Sequence, residues 1–524
     1  MTGAPWWRSG VVYQIYPRSF ADAGPGGAGR PGVGTLEGIR RHLDHLVWLG
    51  VDALWLSPFY RSPMADFGYD VSDHCDVDPT FGTLADFDRL LADAHDRGLR
   101  VLIDWVANHT SDQHPWFVDS RSSPRSPRRS WYLWRDPAPG GGPPNHWRAA
   151  FGGGGGDGGG EVPAWTLDPA SGQYYLHLFL PEQPDLDWSH RPVVEALHDV
   201  LRFWLDRGVD GFRADAIHAI GKDPALADGP DDLAGQPRSS TNDHPSTHEH
   251  LRELRTLLDG YPGERVMVGE VYLLDTAKVA PYYGDGDELH LAFNFPPLFT
   301  PWDVGAWRSR LAEVERHLHP VGAWPTWVLG NHDNPRPRTR FGSEARARAA
   351  AFLLLGLQGT AFLYAGDELG LEDAEVGPEE AVDPGGRDGC RAPIPWDASP
   401  GHGWAARPWL PWPPGPDLRN VASQRQDPGS VLHLHRRLLA ARRASPALRL
   451  GDLEVLDAPE GVLAWSRVHA ADRRTVAVNF TGAPRPVPLD GDGWVVEVAS
   501  DGAGEGRPWS GRLGADQAVV LAPG

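Results

Sequence analysis

Short apolar runs that end in polar or ionisable residues recur along this chain, and amphipathic stretches separate them. The runs predict strands near Val11–Tyr16, Ala53–Leu56, Val101–Trp105, Gly211–Ala214, Val266–Val271, Leu289–Phe293, Trp327–Leu329 and Ala361–Tyr364. Between them, Leu84–Arg97, Val193–Arg207 and Glu249–Leu258 repeat their apolar residues at helical spacing. Strands that are apolar on both faces and alternate with helices imply a parallel sheet. Eight of them predict a (β/α)8 TIM barrel.

Two regions break the alternation. The interval between the third and fourth strands is too long for a βα loop. It carries Pro and Gly clusters, the glycine tract of residues 152–160 and a strand-like YYLHLF from Tyr174. This predicts an inserted subdomain, residues 108–188, over the C-terminal mouth of the barrel. The glycine tract has no G-K-[ST] ending, so it reads as a flexible surface loop rather than a phosphate loop. After about residue 446 the pattern turns to LEVLDA, VLAWSRV, TVAVNF, GWVVEVA and AVVLA, joined by Gly-, Pro- and Asp-rich linkers. That predicts a C-terminal antiparallel, sandwich-like β-domain over 446–524, leaving 1–107 and 189–445 for the barrel.

Composition narrows the partners. A formal net charge of -21 on 524 residues would be repelled by nucleic acid or an anionic membrane. No apolar run suits a signal peptide or a bilayer span, and Cys75 and Cys390 are the only cysteines, so a cytoplasmic protein without a disulfide framework is expected. The 23 Trp residues suit a large core and are also compatible with sugar stacking. HPSTHEH, residues 244–250, lacks the HExxH spacing of a zinc site and reads as histidines on a surface helix. Oligomeric state is not legible.

Function in a barrel collects where strands end at the C-terminal face. Four predicted ends finish in ionisable residues: Asp104 to His109 after the third, Arg213 and Asp215 on the fourth, Glu270 after the fifth, and His332 and Asp333 after the seventh. A lone Asp after a strand is commonly a helix cap; four such ends on one rim are poorly explained by capping. Asp215 and Glu270 end adjacent strands, which lie about 4.8 Å apart. A nucleophilic and an acidic carboxyl about 5–5.5 Å apart is what retaining glycoside cleavage requires. Arg213, two residues before Asp215, shares its face, so its charge is expected to keep Asp215 ionised, while burial and neighbouring carboxylates should push Glu270 towards its protonated form.

The segments DWVANH, GFRADAIH, MVGEVY and LGNHD resemble the four signature regions of the α-amylase superfamily, glycoside hydrolase family thirteen. QPDLD, residues 183–187, resembles its fifth signature in the form common among α-glucosidases, and the likeness spans about residues 6 to 440. It implies Asp215 as nucleophile, Glu270 as general acid/base and Asp333 as the carboxylate that fixes sugar hydroxyls. His109 and His332 would hydrogen-bond the same ring, and Asp66 and Tyr69 would hold the terminal glucose. Phe151 would form an aromatic wall, and Arg391 matches the arginine of an R-x-P-x-x-W segment beside the site.

The chain departs from the family in its first βα loop, where relatives often carry D-x-N-x-D-G-x-G-D. Here DAGPGGAGRPGVG keeps only Asp22, too few oxygens for a hard divalent ion, so no metal and no cofactor are expected. Ala216 follows the nucleophile; among similar glucosidases a Val there accompanies α-1,6 preference and smaller residues accompany α-1,4. The resemblance therefore implies a retaining, exo-acting α-glucosidase on a small α-glucoside, with α-1,4 links favoured and transglucosylation open to it. A trehalose-synthase-type maltose isomerase, an α-1,6-specific oligoglucosidase and a sucrose-directed transferase are the enzymatic alternatives. A non-catalytic, transporter-associated barrel is the alternative of another class; such relatives usually lack the carboxylates that this chain keeps.

Overall fold

The structure is a computed structural model describing residues 4–24, 29–150, 162–226, 241–489 and 493–524. Eight parallel strands form its centre: β1 (Val11–Ile15), β2 (Ala53–Leu56), β3 (Arg100–Val106), β4 (Gly211–Asp215), β5 (Val266–Gly269), β6 (Leu291–Ala292), β7 (Thr326–Val328) and β8 (Thr360–Tyr364). Hydrogen bonding runs β6-β5-β4-β3-β2-β1-β8-β7. All eight fall within the runs read from the sequence or a residue beyond them. The sixth shrinks to two residues, with Phe293 N–H still bonded to the Gly269 carbonyl at 3.0 Å.

No ladder joins β6 to β7 among the described residues. The Thr326 hydroxyl spans the gap instead, donating to the Ala292 carbonyl at 2.9 Å and accepting from the Asn294 N–H at 3.0 Å. Inside the barrel, Val12, Trp55, Leu102, Val268, Phe293, Val328 and Phe362 form one apolar cluster. The interior is a packed core, so any site must lie at its ends.

The outer helices form for local reasons. Thr83 and Asp86 make a reciprocal capping box at the start of Leu84–Asp96, and Phe87, Leu90, Leu91 and Ala94 of that helix face the core. In Arg191–Asp206 a proline in the first turn starts the helix, and Trp204 of its buried stripe packs against Phe59 and Phe87. Phe87→Ala would cost about 3–5 kcal/mol, since the cavity left has walls on every side.

The region after β3 carries a three-stranded antiparallel sheet, Trp134–Arg135, Gln173–Leu176 and Trp165–Asp168, with Gln173–Leu176 in the middle. Leu133, Trp147, Trp165, Tyr174 and Leu176 give this sheet its own core. The C-terminal region is an antiparallel sheet of β9 (Asp452–Leu456), β10 (Val462–His469), β11 (Asp472–Asn479), β12 (Trp494–Ala499) and β13 (Ala518–Pro523), ordered β9-β10-β11-β13-β12. It locks onto the barrel where Trp465 Nε1 donates to the Gly356 carbonyl at 3.1 Å; a Cβ on Gly356 would sit 3.3 Å from that indole. Among the described residues, no helix is long and apolar enough to cross a membrane.

Candidate active site

Strand register brings the first carboxylates together. Asp104 of β3 pairs with Arg213 of β4, and Gly269 of β5 pairs with Ala214, so Glu270 emerges beside Asp215. Alternation turns Arg213 and Asp215 to the same face. Arg213 Nη1 binds Asp104 Oδ1 at 2.6 Å and also Asp215 Oδ1, while Nη2 binds Glu270 Oε2 at 2.9 Å. One planar guanidinium thus holds the two carboxyls side by side, the proximity a double displacement needs. Ala216 has φ +43°, a left-handed conformation that strains a residue with a Cβ. Its N–H donates to Glu270 Oε2 at 2.8 Å, so the strained turn orients Glu270.

The opposite wall is built after β7. Gln14 Nε2 of β1 donates to His332 Nδ1 at 2.7 Å, which leaves the proton of a neutral imidazole on Nε2. That nitrogen faces the Tyr69 hydroxyl at 2.5 Å and Asp333 Oδ2 at 3.3 Å. Arg387 bridges three acids, meeting Asp333 Oδ1 at 3.0 Å, Asp66 Oδ1 at 2.6 Å and Asp383 Oδ1 at 2.7 Å. Arg391 reaches Asp333 Oδ1 at 3.0 Å and Asp383 Oδ1 at 3.1 Å. Gln183 Nε2 lies 3.1 Å from both Asp66 Oδ2 and His109 Nε2, tying the QPDLD segment to the same wall.

Electrostatics departs from one expectation. Burial pushes Asp215 well above the usual carboxylate range, opposed by Arg213 and reinforced by the Glu270 and Asp104 charges. Arg213 therefore does not keep Asp215 in an ordinary acidic range. Its charge is divided among three carboxylates, and desolvation outweighs its share. Asp104 is driven up to about 6 by burial against the pull of Arg213. Asp333 shows the reverse outcome: burial raises it, but His332 first, then Arg387 and Arg391, bring it well below the usual range. His332 is lowered to about 3 by burial, so at neutral pH it is uncharged and the arginines supply the attraction.

These walls enclose a cavity of about 540 Å³, within the span of small-ligand pockets. Asp215, Glu270, Asp333, Asp66, Tyr69 and His109 line it. Arg213, His332 and Arg391 are buried directly behind those residues and orient them. Phe151 lies outside the described residues. The aromatic wall that the described part of the insertion supplies is Phe179, whose ring is 5.1 Å from that of His109. Two lining residues were not among those singled out from the sequence: Arg387, four residues before Arg391, and His218, the last residue of GFRADAIH, whose Nδ1 is 3.0 Å from the Glu270 carbonyl. Both lie in or next to the motifs named above; their side-chain directions are not legible from spacing.

Other sequence features are engaged elsewhere. Asp22 accepts from the N–H groups of Gly24 at 3.0 Å and Ala405 at 2.8 Å. His248, on the helix Ser246–Asp259, faces Glu288 Oε2 at 2.7 Å.

Comparison with known proteins agrees with this architecture. The chain is 41% identical to a probable alpha-glucosidase of Rhizobium meliloti strain 1021, over 94% of each chain. It is 34% identical to an oligo-1,6-glucosidase of Parageobacillus thermoglucosidasius, over 91% of this chain and 90% of that one. Among solved structures, an alpha-glucosyl transfer enzyme superposes with a TM-score of 0.90 at 41% identity, covering 99% of this chain and 100% of the other. The trehalulose synthase MutB of Pseudomonas mesoacidophila MX-45 does so with a TM-score of 0.89 at 33% identity and the same coverage. The family model described as alpha amylase, catalytic domain, matches residues 14–451, and the chain belongs to that family of glycoside hydrolases.

Proposed function

We propose that this chain is a retaining, exo-acting α-glucosidase that removes terminal α-linked glucose from maltose and short malto-oligosaccharides. The observation that carries the reading is the shared Arg213 guanidinium, which sets Asp215 and Glu270 together on the floor of a cavity. In the first step an Asp215 oxygen attacks the anomeric carbon as the bond to the bridging oxygen breaks, and Glu270 gives that oxygen its proton. The ionised Glu270 then takes a proton from water, whose oxygen displaces Asp215 and restores both groups with net retention. A second sugar hydroxyl in place of water would give transglucosylation.

The roles fit their surroundings. Arg387 and Arg391 keep Asp333 ionised, ready to accept hydrogen bonds from ring hydroxyls. The Arg387 bridge between Asp66 and Asp333 forms one wall of the cavity, which suits binding of a chain terminus. Ala216 lines the cavity with only a methyl group, leaving room beside the bond to be cleaved and favouring α-1,4 links.

Chromatography of products from maltose, isomaltose, trehalose and sucrose, with anomers followed by NMR, tests the reading. The expected result is α-glucose released from maltose faster than from isomaltose. Trehalose accumulating from maltose would assign an isomerase instead, and faster isomaltose cleavage would reverse the linkage assignment.

A further inference from the structure

On the floor of the barrel, the face opposite the active site, Arg442, Arg443 and Arg449 line a cavity of about 270 Å³ together with Ser9 and Asp52. A second cavity of about 330 Å³ shares Ser9, Asp52 and Arg449 with it. The walls come from the start of β1, the turn before β2 and the helices Val431–Ala444 and Pro446–Leu450, which lead into the C-terminal sheet. This concentration of cations stands out on a chain whose formal net charge is -21.

The arginines are incompletely compensated. Asp52 is the one carboxylate lining the first cavity, and its oxygens are already used: Oδ2 accepts from the Val11 N–H at 2.9 Å and Oδ1 from Arg443 Nη2 at 3.1 Å. Arg442 is 2% exposed and meets only backbone carbonyls, those of Leu355, Leu448 and Gly359, while its Nε has no hydrogen-bond partner. Arg449 donates to the Ser9 hydroxyl at 3.0 Å. Neither Arg442 nor Arg449 has an ion pair among the described residues. Burial, opposed by Asp52 and aided to a smaller extent by the Arg449 charge, brings Arg442 down to about 10. The C-terminal end of Val431–Ala444 attracts Arg442 and Arg443, but it gives no reason for a third arginine to face the same hollow.

We propose that this floor cavity is a binding site for a phosphate group. The Arg449 guanidinium can donate to phosphate oxygens, while Arg442, its Nη atoms committed to carbonyls, contributes charge rather than hydrogen bonds, and a dianion there would neutralise the charge that the fold leaves open between the two. Because the walls join the barrel floor to the helices that precede the β-domain, the occupied site holds those parts together. The site is separate from the glycosidic chemistry and does not depend on it.

Thermal unfolding of the full chain in 10 mM inorganic phosphate, against chloride at matched ionic strength, tests this. The wild type should gain about 2 °C or more in Tm, since a ligand that binds only the folded state stabilises it. Arg449→Gln should lose that gain while keeping its turnover of maltose. Ser9→Asp, which supplies a fixed carboxylate to Arg449, should be more stable than wild type in chloride and respond little to phosphate. Equal shifts in all three proteins, the mark of a general salt effect, or no shift in the wild type, would overturn the site. A parallel arm with sn-glycerol 3-phosphate identifies the source: a larger gain assigns a phosphate ester, an equal or smaller one the free ion.

Discussion

The two ends of the barrel use the same residue types to opposite effect. At the floor, Asp210 precedes β4 and is saturated with donors: the Val101 N–H at 2.9 Å, His95 at 2.7 Å and Arg100 at 2.9 Å, with Arg265 further off at 3.4 Å. Burial raises its pKa, yet those partners bring it below the ordinary value. Five residues on, Asp215 shares a single arginine with two other acids and is driven upward. The floor acid is stabilised in its ionised form, and the mouth acid is held where ionisation is disfavoured. An acid's role on this scaffold follows from how many donors it must share, which its identity alone does not reveal.

Exchanging each acid for its amide would break this contrast most sharply. Asp215→Asn should lower kcat by at least ~10⁴-fold, as loss of a nucleophile does. The same change should leave Tm equal or higher above the raised pKa. A carboxyl whose folded pKa is raised favours the fold at low pH and loses that contribution as pH rises through the folded value. Asp210→Asn should do the reverse, keeping turnover per folded molecule but costing about 3 kcal/mol in denaturant unfolding. Should both variants lose stability alike, the contrast between mouth and floor would be unfounded.

Glu270→Gln should slow maltose turnover by ~10²–10⁴-fold, and an aryl glucoside with a good leaving group should recover most of the first step, because it needs no proton donor. Next in size, Arg387→Ala removes the bridge between Asp66 and Asp333 and should cut kcat/KM about 100-fold; it should also lower Tm, since Arg391 still holds Asp333 but the buried Asp66 is left without a cation. The smallest effects are in pH dependence. The acid limb of kcat/KM should lie above the ordinary carboxylate range, because a raised Asp215 must lose its proton to attack. Stability should fall separately, at lower pH: a depressed Asp210 contributes above its unfolded pKa and loses that contribution as pH falls through its folded value. Coincident acid limbs for activity and stability would mean that the two aspartates are not distinguished in this way.

Much of this contrast was open to sequence reading, and the reasons are local. β2 is a four-residue apolar run buried at every position, so its pattern alone delimits it. Asp215, Glu270 and Asp333 follow such runs and fall within motifs whose order is itself informative. Arg387 is different. It lies in a long connection after β8, and only the folded path of that loop brings it to Asp66, 321 residues earlier. The left-handed turn at Ala216 was hidden because alanine has no preference for positive φ; the neighbouring strands impose it. How Arg213 divides its charge was hidden too, since spacing gives its proximity to Asp215 but not the competing claims of Asp104 and Glu270.

The missing ladder between β6 and β7 has a consequence for the whole ring. Glu270 follows the strand on one side of β6, while Asp333 follows the strand beyond the break, so the split runs between these two carboxyls. Two hydroxyls cross that split: Thr326, and Tyr283, which accepts from the Ala292 N–H at 3.1 Å and donates to the Trp324 carbonyl at 3.0 Å. In hydrogen-bond topology the scaffold is a cut hoop rather than a closed one, so widening at this line would rupture no strand pairing. Amide exchange should loosen there first, and a change as small as Thr326→Val would be felt as a misaligned jaw well before the hoop comes apart.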